Sequence, residues 1–148
     1  MASLKISCCS IADGPAIGTV NVSALWTDPT WAVIWPGKTR EYVIAQYTRR
    51  MPYTLLSDRL HNRYEKAIDI RTGIVVGYAR WTLPKLDDLN MVSFWAEAIV
   101  PPVSADRELQ AKAEYLAADF AYDHSLDELD RPLDEIMDRL QSSKKYIG

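Results

Sequence analysis

Three tryptophans, Trp26, Trp31 and Trp35, fall within ten residues of one another around a loop broken by Pro29, Pro36 and Gly37. An indole offers a large apolar area with a single hydrogen-bond donor. Joined by Tyr42, Tyr78 and Trp81, the cluster could wall a pocket for a flat or greasy small molecule. The same side chains could instead cover the top of a small sheet as ordinary core. Glu97, in "SFWAEAIV", is a charge inside an apolar run. A carboxylate held in such surroundings has a raised pKa suited to proton transfer, so Glu97 is the general-base candidate; its alternative place is the exposed side of an amphipathic helix. Arg40, Arg49 and Arg50 form a basic group that could meet an anionic ligand or lie along a solvated helix face.

Other chemistries have little to draw on. His61 and His124 are the only histidines, too few for a three-histidine zinc site. Asp123 and Ser125 flank His124, but sequence neighbours on a helix do not face one another. Cys8 and Cys9 are adjacent, which excludes an ordinary intrachain disulfide; strand alternation would turn one thiol toward the core and the other away. The acidic run Asp123, Asp127, Glu128, Asp130, Asp134 and Glu135 lacks the glycine-centred alternation of a calcium loop, so no metal is expected there. A net charge of −3 and a pI near 5.4 supply no basic field for nucleic acid. No apolar run approaches the roughly 20 residues that cross a bilayer, and "MASLKISCCS" has no signal-peptide core. These features lead us to expect a cytoplasmic protein without membrane or nucleic-acid partners.

The elements that must position these residues are legible in outline. "LKISCCSI" is a short strand with Leu4, Ile6 and Cys8 on one face, ended by the turn-forming "ADGP". A helix opened by Pro15 places Ile17, Val20, Ala24 and Leu25 near helical spacing, although Gly18 weakens it. "TREYVIAQYTRRM" reads as a second helix, halted by Pro52. "YEKAIDI" and "GIVVGYARWTL", joined by "RTG", form a hairpin whose second strand carries Gly77, the mark of a bulge or a close backbone approach. A helix is expected between Pro84 and the break at Pro101 and Pro102. A further helix follows, capped by Ser104 and carrying an apolar stripe of Leu109, Ala113, Leu116, Ala117 and Phe120. The last, with a capping box at 125–128, carries Leu133, Ile136, Met137 and Leu140 behind Pro132. At 148 residues this is one α+β domain: a small, mainly antiparallel, three-stranded sheet packed with four to five helices.

This order, with "DIRTGIVVGYARW" and "ALWTDPTW", resembles the N-terminal half of the GNAT superfamily of N-acetyltransferases. There a first strand leads into two helices that cap the acceptor-substrate site, and a hairpin follows whose second strand often reads "VVGYA". The helical segment from "AEAIVPPVS" to "KKYIG" is similar to an insertion that precedes the fourth strand in one branch. The resemblance therefore implies a single truncated GNAT-like domain over 1–148, with a β-α-α-β-β core at 1–86 and a helical insertion at 87–148. It also implies a cofactor loop, Arg/Gln-x-x-Gly-x-Gly/Ala, after the fourth strand, whose glycines let backbone amides approach the acetyl-CoA pyrophosphate. None of Gly14, Gly18, Gly37, Gly73, Gly77 or Gly148 stands in that spacing, and the sequence stops where the fourth strand would begin.

Three functions follow. The first is an acyltransferase chain or fragment that contributes the acceptor side. It would bind no cofactor alone and would use acetyl-CoA when the other half is supplied. The second is a non-enzymatic GNAT-derived binding or assembly module, a homo-oligomer or a chain whose partner pairs with the strand edge at 74–82. The third is a cofactor-independent cyclase or isomerase, with Glu97 acting on a small molecule held among the aromatic residues.

Overall fold

The computed structural model describes residues 3–29, 31, 34–83, 94–120, 131, 132, 135, 136, 138 and 139. The chain runs through β1 (Leu4–Cys8), a 3-10 turn (Ile11–Asp13), α1 (Gly14–Leu25), α2 (Arg40–Leu56), β2 (Asn62–Asp69) and β3 (Val75–Thr82). A second 3-10 turn (Ala96–Ala98) and α3 (Ala105–Ala117) follow. The fold is α+β with one three-stranded antiparallel sheet in the order β1-β2-β3. Three helices are described end to end, fewer than the four to five expected. Residues 131, 132, 135, 136, 138 and 139 are helical, in the segment of the last expected helix. Leu133, Met137, Leu140, the capping box at 125–128 and residues 121–130 of the acidic run lie outside the described residues.

The hairpin forms where its turn residues put it. The Asp69 carbonyl accepts from the Thr72 and Gly73 amides at 3.2 and 2.8 Å, and Gly73 takes a φ of +70°, which glycine adopts without penalty. On β3 the register slips: Ala67 faces Gly77 while Ile68 faces Val75, so Val76 is the extra residue of a bulge. The bulge expected from Gly77 is therefore present. Among the described residues nothing approaches Gly77 closely: a Cβ there would meet only the Ala67 Cβ, at an ordinary 3.9 Å.

Close approach occurs between the helices instead. A Cβ at Gly18 would stand 2.9 Å from the Thr48 backbone nitrogen, and one at Gly14 would stand 2.9 Å from Pro52 Cδ. The buried stripe of α1 is accordingly Gly14, Ile17, Gly18 and Val22, turned away from the expected Val20, Ala24 and Leu25. α2 continues through Pro52, where a stop was expected, and Leu55 and Leu56 beyond it are buried. Burying two leucines gains about 3–6 kcal/mol, enough to offset the roughly 3 kcal/mol cost of an interior proline.

α3 starts at Ser104, whose hydroxyl accepts from the Arg107 amide at 3.3 Å. It presents Ala111 to the core formed by Cys9, Ile17, Met51, Leu55 and Tyr64. Leu109 and Leu116, expected to face inward, are 65% and 71% exposed. The helix expected before residue 101 is, from 94 onward, a turn and the 3-10 segment Ala96–Ala98. The buried Arg63 guanidinium fixes that segment, donating to the Phe94 and Trp95 carbonyls and to those of Arg59, Leu60 and Asn62. Among the described residues no helix is long and apolar enough to cross a membrane.

Candidate functional site

Between the helices and the sheet lies a cleft of about 460 Å³, a volume that suits a small molecule. α2 contributes Tyr47, Arg50, Met51 and Thr54, spaced i, i+3, i+4 and i+7 on one face. The sheet contributes Tyr64 from β2 and Tyr78 and Arg80 from β3, alternate residues on the helix-facing side. Asn21 of α1, Tyr115 of α3 and Phe120 close it.

These side chains hold one another in place. The Tyr78 hydroxyl donates to Asn21 Oδ1 at 3.0 Å, and Tyr47 lines the same cleft. Tyr64 stands opposite Arg80 in register, and its hydroxyl reaches the Thr54 carbonyl at 3.4 Å. Arg50 donates to the Tyr115 hydroxyl and lies 4.0 and 3.9 Å from the ring centroids of Tyr115 and Phe120. Phe120 is set by its neighbour Asp119: the amide donates to Gln46 Oε1 at 2.9 Å, and the carboxylate receives Tyr42 and Lys38.

The electrostatics of the cleft are one-sided. Among the described residues its lining holds two arginines and no carboxylate. Burial raises the pKa of Tyr47, Tyr64 and Tyr78, and the nearby arginine charge only partly offsets this, so the three hydroxyls stay neutral at physiological pH. Neither Arg50 nor Arg80 forms an ion pair among the described residues. The described lining of the cleft therefore carries net positive charge inside an acidic protein.

The structure distributes the sequence-derived candidates among separate places. Tyr78 lines the cleft. Trp26, Trp31 and Trp35 form a second layer behind it: Trp31 and Trp35 pack on Tyr47 with centroids 6.1 and 6.2 Å apart, and Trp35 packs on Phe120 at 5.0 Å. Tyr42 holds Asp119. Trp81 is on the opposite sheet face against Trp95, 5.7 Å away. Glu97 is exposed in its 3-10 turn and does not line the cleft. Of the three arginines, Arg50 alone enters it; the Arg40 guanidinium donates to Ser23 Oγ, and Arg49 is exposed.

Asn21, Tyr47, Thr54, Tyr64, Arg80 and Tyr115 were not singled out from sequence. The α2 spacing was a usable signal, because a stripe of Tyr, Arg, Met and Thr is too polar to be only core. So was the alternation of Tyr78 and Arg80 on one strand. Tyr64 and Tyr115 carried no local signal, since only tertiary packing brings them in.

The start of α1 does not offer the phosphate site that acetyl-CoA needs. A pyrophosphate needs free helix N-terminal amides and glycines open to a ligand. At the start of α1, Gly14 is closed by Pro52, and the Asp13 carboxylate already accepts from the Ser10 amide (2.7 Å), the Ser10 hydroxyl (2.9 Å) and Lys66 (2.6 Å). Thiol chemistry is also disfavoured: burial raises both cysteines, and Cys9 is pushed up to about 12. As alternation requires, Cys9 is buried and Cys8 less so. No three metal-ligating side chains cluster among the described residues. No protein-family model, curated protein or solved structure matches the chain.

Proposed function

We propose that the chain is the acceptor-substrate side of a cytoplasmic, acetyl-CoA-dependent N-acetyltransferase of GNAT type, with the cofactor-binding half supplied by further polypeptide. The observation that carries this reading is the cleft between α1, α2 and the helix-facing side of a β1-β2-β3 sheet, where the resembling fold holds its acceptor. The residues that would bind the acceptor are Tyr47, Tyr78 and Asn21, which line the cleft together, with the Tyr78 hydroxyl fixed by its bond to Asn21. Acetyl-CoA would supply the acyl group. Glu97, on present geometry, would act only on a molecule reaching outside the cleft. The test is the reading frame past residue 148 together with acetyl-CoA binding by the natural protein. The proposal expects a fourth strand, the Arg/Gln-x-x-Gly-x-Gly/Ala loop and saturable binding; no binding at about 1 mM acetyl-CoA contradicts it.

A second reading, an assembly module, is favoured by one observation. Among the described residues β3 has a hydrogen-bonded neighbour on one side only, and Val76 and Trp81 are each 48% exposed. Pairing of that edge with another chain predicts an oligomer by light scattering at micromolar concentration. A monomer there removes this reading.

A further inference from the structure

We propose that the cleft selects a ligand carrying an oxyanion, a carboxylate or a phosphate, on a planar ring. The inference rests on the acceptor-site reading above and names the class of acceptor.

Arg50 and Arg80 reach the cleft from facing elements, α2 and β3; Arg50 donates to the Tyr115 hydroxyl, and Tyr64 stands opposite Arg80 in the strand register. The Tyr115 phenol is a neutral partner that orients the Arg50 guanidinium without cancelling its charge. Arg50 is further immobilised between Tyr115 and Phe120, so little rotamer entropy remains to be lost when it meets an anion. A guanidinium has five donors in a planar fork, and one bond to a phenol leaves donors for a carboxylate or phosphate. The remaining wall, Tyr47, Tyr78 and Phe120, offers ring faces and edges to a flat molecule.

The other large cleft of the described residues shows the contrast. At about 450 Å³ it is nearly as large, but its lining mixes Asp58 and Glu108 with Arg59, and the Arg59 Nε already donates to the Val100 carbonyl at 2.8 Å. Size alone does not separate the two; the sign of the charge does.

The probes are para-aminobenzoate, its neutral isostere para-aminobenzamide, and para-aminophenyl phosphate, titrated into the full chain by calorimetry without any acetyl donor. Charge-assisted bonds to a fixed arginine favour the benzoate over the amide by about tenfold or more. Arg50→Gln and, separately, Arg80→Gln each reduce that preference to within about threefold, while the exposed Arg49→Gln leaves it intact. Arg80 is exposed on β3, so its variant keeps the fold even if loss of the Arg50 stack does not. Whichever of benzoate and phenyl phosphate binds more tightly identifies the oxyanion. Equal affinity for benzoate and amide, or no saturable binding of either anion at about 1 mM, overturns the inference. Because no acyl donor takes part, that outcome leaves the acetyl-transfer reading to its own test, and absent acetyl transfer leaves an observed anion preference standing.

Discussion

Replacing Gly18 with alanine puts the packing account at risk in one measurement. The added Cβ would lie 2.9 Å from the Thr48 nitrogen and 3.1 Å from its Cα. Both are backbone atoms, so no rotamer change relieves the contact, and the helices must separate. Overpacking costs about 1–3 kcal/mol, and a backbone clash belongs at the upper end. Alanine in a helix interior recovers about 1 kcal/mol of propensity. The net loss is about 2 kcal/mol, which with an m-value of about 2 kcal/mol/M lowers the urea midpoint by about 1 M. Gly77→Ala is the matched control: its Cβ meets only Ala67 at 3.9 Å, so its stability stays within about 0.5 kcal/mol of the parent. A Gly18→Ala midpoint at or above the parent's would refute the close α1–α2 contact.

Further outcomes follow from the same geometry. Arg63→Met strips the donor from carbonyls of the 59–62 and 94–95 segments and lowers stability by about 3 kcal/mol or more in urea melts; a smaller effect would mean those carbonyls find other partners. For Asp13, burial raises the pKa, but the bonds from Lys66 and Ser10 outweigh it and bring the carboxyl below the ordinary 3.8. That depressed pKa stabilises the fold above 3.8 and the contribution disappears as pH falls through the folded value, so the parent loses more stability than Asp13→Asn between neutral and acid pH. Parallel pH profiles in the two would contradict this. With both thiols raised, Cys8 and Cys9 of the folded protein react with a thiol reagent at neutral pH more slowly than in urea; equal rates would show the thiols to be accessible and ordinary.

The strands, the hairpin and the Ser104 cap were legible because each depends on local chemistry: alternation, a glycine at positive φ, a hydroxyl before a first turn. The helix faces were misread for one shared reason. Spacing of large apolar residues selected Val20 and Leu25 on α1 and Leu109 and Leu116 on α3. The faces that touch carry Gly14, Gly18 and Ala111, because helices packed this closely need small residues at contact. Pro52 misled in the same way: a local breaker is tolerated where Gly14 makes room for its ring. The tryptophan cluster was recognised as a unit, but its place behind the cleft depends on Phe120 and Asp119, more than seventy residues away from Tyr42 and Gln46. Tyr78 was found because it sits on the hairpin. Arg50 was seen only as one of a basic group, since nothing local says that α2 turns it inward.

The central claim is that the ligand site is the tyrosine–arginine cleft rather than the tryptophan loop or the outer sheet face. Backbone amide shift mapping by NMR during titration with para-aminobenzoate tests it most directly. The account predicts shifts concentrated at Asn21, Tyr47, Arg50, Tyr78, Arg80 and Tyr115, and diminished in Arg50→Gln. Shifts concentrated instead around Trp26–Trp35, or around Trp81 and Trp95 on the far side of the sheet, would contradict it.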